Sequence, residues 1–180
     1  MVKAGFLEEK KHSDSDVILF HFLGLDHIGH AFSARSDLVA KKLQEMDTFV
    51  SEFYEWAEED DAKSGRRTLI LVMGDHGMTM DGNHGGGSPE ETQAATVFLT
   101  PNYRGGISFP DWKSSIQHFT SRNCHHEDLA ATLTALLDTS GPLQNGYGKL
   151  IADVVESFTN SEQSKYYLIE NLLHLLKYPF

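Results

Sequence analysis

Alternating blocks of continuous and helically spaced apolar residues set the expected architecture. Residues 16–26, DVILFHFLGLD, are a short and nearly continuous apolar run, the pattern of a strand buried on both faces of a parallel sheet. From residue 36 to 60 the period changes. Val39, Leu43, Met46, Val50, Phe53 and Ala57 recur three or four apart and share one helix face. KSGRR closes that helix, with Gly65 as its stop. TLILVMGD, residues 68–75, is a second buried run. Strand, helix and strand in this order predict a βαβ unit with parallel strands and a right-handed crossover.

A glycine-rich loop follows, and then SPEE predicts a short capped helical turn, with Ser88 as N-cap, Pro89 at the first helical position and Glu91 at the third. AATVFLTP, residues 94–101, is a third expected strand, and NYRGGISFPDWKSSIQ reads as loop. HHEDLAATLTALLD, residues 125–138, predicts a helix whose first turn carries acids, as the helix dipole favours. TSGPLQNGYG breaks it, and residues 161–177, SEQSKYYLIENLLHLLK, are helical again. Repeats, low-complexity tracts and linkers do not stand out. The expected fold class is α/β, a mostly parallel sheet flanked by helices.

Composition narrows the function. The 180 residues suffice for one domain with one core. A net charge of -11 argues against a nucleic-acid backbone as partner. The lone Cys124 excludes an internal disulfide framework and a multi-cysteine zinc site, whereas ten histidines favour metal or acid–base chemistry. The opening MVKAGFLEEKKH has no apolar signal-peptide core, and no run reaches the ~18 apolar residues of a membrane span. Taken alone, the chain reads as a soluble piece.

In an α/β sheet, chemistry gathers at the carboxyl ends of the strands. Asp26 ends the first expected strand and Asp75 the second, so both carboxylates should reach one edge. Histidines accompany them: His30 four residues after Asp26, His76 next to Asp75, and His84 on the glycine loop. Imidazole nitrogen with carboxylate oxygen is the donor mixture that zinc takes. Each element has a plainer reading too. A strand-end Asp is also a common helix cap. His27 points away from His30 and reads as exposed or as a support for a ligand, and His21 reads as a core histidine. His12, His118, His125, His126 and His174 read as surface or helix-end residues, Asp81 as a turn residue, and residues 58–61, EEDD, as a solvated helix end. Cys124 receives no role. The loop lacks the Gly-Lys-Ser/Thr ending of a phosphate-binding P-loop, and Ser88 lacks a G-x-S-x-G nucleophile elbow.

These motifs carry a resemblance. FHFLGLDHIGHAF, KLQEMDTFV and LVMGDHGMTMDGNHGGGSPEET resemble the GPI ethanolamine phosphate transferases of the alkaline phosphatase superfamily, and HEDLAATLTALLDTSGPLQNGYGKLI is similar to that family's closing segment. LGLDHIGH is most similar to the branch acting at the second mannose. The resemblance covers about residues 15–155. It implies a partial alkaline-phosphatase-like fold, with 1–180 as a single incomplete catalytic domain ending in a helical segment, 156–180. It also implies two zinc ions. Asp26, His30 and His84 would hold one; Asp75 and His76 would serve the other, whose remaining Asp and Thr ligands lie upstream in the family. That Thr is the nucleophile, and no residue of this chain matches it. The implied reaction moves phosphoethanolamine from phosphatidylethanolamine to a mannose of the GPI precursor. The implied setting is the lumenal side of the endoplasmic reticulum membrane, with a membrane subunit as a conceivable partner.

The first 25 residues carry neither upstream motif, so the chain reads as the back half of a catalytic domain, inactive by itself. AFSARSDL departs from the Gly- and Pro-rich stretch that the family shows after DHIGH. Two rival readings are a metal-dependent phosphodiesterase or nucleotide pyrophosphatase of the same superfamily, with water as acceptor, and a non-catalytic metal-binding remnant.

Overall fold

The structure is a computed structural model, and it describes residues 15–101, 123–137 and 146–177. The chain divides into two compact units, Met1–Asn102 and Tyr103–Phe180. The first holds α1 (Gly24–Phe32), α2 (Asp37–Ser64), β1 (Ile70–Met73), α3 (Pro89–Thr92) and β2 (Thr96–Leu99). The second holds α4 (His126–Leu136), α5 (Ala152–Phe158) and α6 (Ser161–Lys177).

Helix α2 starts and stops where its chemistry dictates. The Ser36 hydroxyl accepts the Leu38 N–H at 3.3 Å. At the far end Gly65 takes φ 71° and donates its N–H to the Asp61 carbonyl at 2.9 Å, the left-handed stop that glycine accommodates without strain. The acidic end of α2 departs from expectation. Asp61 is buried rather than solvated. Its carboxylate accepts the Thr68 N–H at 2.9 Å and the Thr68 hydroxyl at 2.7 Å, which fastens the end of α2 to the lead-in of β1.

The parallel βαβ expectation is corrected. The sheet among the described residues is a two-stranded antiparallel pair, with Ile70 opposite Leu99, Leu71 opposite Phe98, Val72 opposite Val97 and Met73 opposite Thr96. Between the strands the chain makes the glycine loop and one helical turn, α3. The run before Asp26 forms no strand. Residues 17–23 take no regular secondary structure, and at Gly24 the chain winds directly into α1. A strand buried on both faces needs ladder partners, and none lies beside this run among the described residues, where Val17 and Leu19 are exposed. Aromatic packing anchors it instead. The Phe20 ring lies 5.2 Å from Phe49 and 5.7 Å from Phe53 of α2, and Phe22 lies 5.1 Å from Phe49. The two rings pack on α2, whereas His21 between them is exposed, not a core histidine.

The second unit is small and held partly by polar anchors. Leu129, Thr132 and Val155 are buried. Asp128 accepts the His125 N–H at 2.9 Å and the Lys149 N–H at 2.7 Å. Buried Thr132 accepts the Ile151 N–H at 2.9 Å, and buried Asn171 accepts the Leu150 N–H at 3.2 Å while donating to the Gly148 carbonyl at 3.0 Å. Helices α4 and α6 fall where the spacing placed them; α5, only seven residues, had no separate sequence signal. The expected loop over 102–117, part of the break after α4, His12 and His118 lie outside the described residues.

Candidate metal centre

Helix α1 carries the first two candidate ligands. Asp26 and His30 are one turn apart and share a face, so the departure from a strand works in their favour. His30 Nε2 lies 3.4 Å from Asp26 Oδ1. The glycine loop delivers the third. His84 Nε2 lies 3.3 Å from the same carboxylate oxygen and 3.0 Å from His30 Nε2.

Helix and loop come this close because glycines face each other across the seam. Gly82, at φ 84°, sits against the Gly29 carbonyl, and a Cβ there would collide with it. A Cβ on Gly29 would strike the Met78 sulfur. At the edge of the seam the Ser33 hydroxyl donates to the Met80 carbonyl at 2.8 Å.

His76 joins from the start of the loop. Its ring stacks on His84 at a centroid separation of 3.8 Å. His76 Nδ1 lies 2.8 Å from the Gly77 carbonyl, an acceptor only, so Nδ1 is the donor and Nε2 is the nitrogen left for a metal in the neutral ring. Asp26, His76 and His84 each offer a ligand atom within 4.8 Å of the others. Asp75 stands at the rim: its side chain is 77% exposed, and Oδ2 lies 3.7 Å from His76 Nε2. The five sequence candidates therefore form one patch with Asp26 and His84 at its centre, His30 and His76 on either side of His84, and Asp75 outermost. His27 and Asp81 are exposed, in keeping with their plainer readings.

The donor set fits a divalent cation. Asp26 Oδ1 is sealed from solvent and has no hydrogen-bond partner among the described residues. A buried carboxylate oxygen is costly unless something positive faces it. A tetrahedral zinc with bonds of ~2.0–2.1 Å separates its ligand atoms by about 3.3 Å. The Asp26–His30–His84 triangle has edges of 3.4, 3.0 and 3.3 Å.

Glu91 pins the far end of the loop. Its carboxylate accepts the Ser88 hydroxyl at 2.7 Å, the Gly86 N–H at 2.9 Å and the Ser88 N–H at 3.3 Å. The Ser88 hydroxyl, then the backbone donors, hold this carboxyl below its ordinary value of 4.5. The Ser88 hydroxyl is thereby committed to a structural bond. Sequence reasoning anticipated this cap but not Ser33, which carries no motif.

Residues 1–84 match the type I phosphodiesterase / nucleotide pyrophosphatase family, a stretch that includes all five candidates. The chain is 36% identical over 168 residues to GPI ethanolamine phosphate transferase 2 of Schizosaccharomyces pombe, covering 91% of the chain and 22% of that protein. It is 37% identical over 178 residues to the protein of that name in Saccharomyces cerevisiae, covering 90% of the chain and 20% of the relative. It is 31% identical over 156 residues to GPI ethanolamine phosphate transferase 2, catalytic subunit, of Homo sapiens, covering 87% of the chain and 15% of the relative. The chain thus spans about a fifth of the length of the curated relatives it matches. No solved structure matches it. With likeness running along nine-tenths of its length and through both ligand motifs, the chain belongs to the GPI ethanolamine phosphate transferase 2 family.

Proposed function

We propose that the chain supplies the metal-binding half of a site that transfers ethanolamine phosphate from phosphatidylethanolamine to a mannose of the GPI-anchor precursor. The second mannose is the acceptor that LGLDHIGH favours. The carrying observation is the triangle of Asp26 Oδ1, His30 Nε2 and His84 Nε2, with the carboxylate oxygen sealed from water. Asp26, His30 and His84 would hold one zinc ion, and Asp75 with His76 part of a second. Zinc bound there would polarise phosphate oxygens and lower the pKa of a coordinated hydroxyl.

The chain's own residues prepare that chemistry. Asp26 brings the negative charge that a dication needs. Gly77 fixes the His76 tautomer, so that Nε2 is ready without a proton shift. A Cβ on Gly85 or Gly87 would meet nothing, so the loop leaves open space just after His84. The nucleophilic threonine and the remaining aspartate ligand belong, on the family pattern, to motifs upstream of the 180 residues. We therefore expect no transfer from the chain by itself. We take both compact units as parts of one catalytic domain acting on the lumenal side of the endoplasmic reticulum membrane, with lipid substrates and a membrane subunit as partners. Among the described residues no helix is long and apolar enough to cross a membrane.

The test is a chimaera: the matching segment of the Saccharomyces cerevisiae relative is replaced by residues 1–180, and ethanolamine phosphate on GPI precursors is read by mass spectrometry. Transfer by the chimaera that is abolished by Asp26→Asn or His84→Ala supports the reading. A folded chimaera that transfers normally with either substitution sinks it. The name of the matched family model favours a second reading, phosphodiester hydrolysis with water as acceptor. Release of nitrophenol from a nitrophenyl phosphodiester, without transfer to GPI, would establish that one.

A further inference from the structure

We propose that Ser33 is a positioning residue for the candidate metal centre, a clamp that holds α1 against the glycine loop; this rests on the reading of Asp26, His30 and His84 as ligands. Ser33 is the one non-glycine residue with positive φ among the described residues, at φ 74° and ψ 149°. That combination is open essentially to glycine alone. A residue with a Cβ persists there only where its surroundings over-determine it. Here they do. The Ser33 N–H donates to the Gly29 carbonyl at 2.8 Å and closes the last turn of α1. Its hydroxyl donates to the Met80 carbonyl at 2.8 Å and accepts the Arg35 N–H at 3.1 Å. The Ser36 N–H donates to the Ser33 carbonyl at 3.1 Å.

The position gives these bonds a purpose. His30 lies three residues before Ser33, and His84 lies four residues after Met80. One hydroxyl thus ties together the two segments that set their imidazole nitrogens 3.0 Å apart. The glycine contacts along the seam permit close approach but do not pull. The hydroxyl–carbonyl bond is directional, and a strained backbone maintains it.

Cobalt(II) titration of the 180-residue chain tests this, read by the d–d absorption of the bound ion, with thermal melting of each metal-free variant alongside. Ser33→Ala and Ser33→Gly both remove the hydroxyl, but only glycine relieves the backbone. Ser33→Gly should therefore melt above Ser33→Ala, while both lose cobalt affinity by roughly tenfold, the low end of the range for residues that orient ligands. A merely structural Ser33 predicts that affinity follows stability. Unchanged affinity and an unchanged spectrum in a folded Ser33→Gly chain overturn the proposal. If Ser33→Ala does not fold, the glycine variant carries the test. Asp26→Asn separates the two layers: cobalt binding that survives it overturns the ligand reading itself.

Discussion

Asp26 turns its Oδ1 into a sealed position facing two imidazole nitrogens. Removing its charge with Asp26→Asn should lower zinc affinity by at least about tenfold, because even outer-shell changes cost ~10–100-fold. His30→Ala and His84→Ala should do the same. Asp75→Asn should change little in the chain alone, since that carboxylate is mostly exposed and 3.7 Å from its neighbour His76. Competition with a chromophoric chelator measures all four, and full zinc binding by His30→Ala would refute the assignment. At this scale the ligand types were legible in the sequence, because Asp, His and their spacing are chemistry in themselves. Ser33 was not. Its backbone angle exists only once α1 meets the loop, and serine in AFSARSDL carries no signal of it.

Individual elements answer to their ends. Asp61 fastens α2 to the lead-in of β1 through two hydrogen bonds that its buried carboxylate accepts from Thr68. Asp61→Ala should destabilise the chain by about 2–4 kcal/mol, since bonds to charged groups are worth ~1.5–3 kcal/mol each and both donors of half-buried Thr68 lose their acceptor. Thr68→Val keeps the backbone bond and should cost less, with urea unfolding as the measurement. Glu91 makes a pH prediction. Its donors favour the ionised form, so its folded pKa lies below its unfolded value. The stability it contributes is whole above the unfolded carboxylate range, near pH 4.5, and is lost as pH falls through the lower folded value. Amide exchange at Gly86 and Ser88 should speed up over that acidic interval and be fast at every pH in Glu91→Gln. The helices α2 and α6 and the capped turn at α3 were legible because their signals are local. The strand expectation at 16–26 failed because pairing is not local. A run apolar enough for a strand still needs an edge to join, and among the described residues it packs by its rings instead.

For the whole molecule, the apolar residues left outside are as telling as those within. Among the described residues Ala57, Ile70, Leu129 and Val155 are the buried apolar side chains. On α6 the usual pattern is inverted: Ser164 and Asn171 are buried, whereas Tyr166, Ile169, Leu172 and Leu176 are exposed. Burying Asn171 is affordable because its amide satisfies two backbone groups. Leu172→Glu with Leu176→Glu should therefore leave stability within about 0.5 kcal/mol per site while lowering the binding of a hydrophobic dye. A large loss of stability would show that this face is packed in solution. The sequence by itself determined which residues are candidate ligands, the helices α2, α4 and α6, and the family resemblance, because residue chemistry and period-3.6 spacing are written in order along the chain. Only the tertiary structure decided that Asp26 rides a helix, that β1 pairs antiparallel with β2, and that His30 and His84 come within 3.0 Å. Those facts depend on which surfaces meet; at the candidate metal centre Gly82 meets Gly29, with the Ser33 hydroxyl bonded across the same seam.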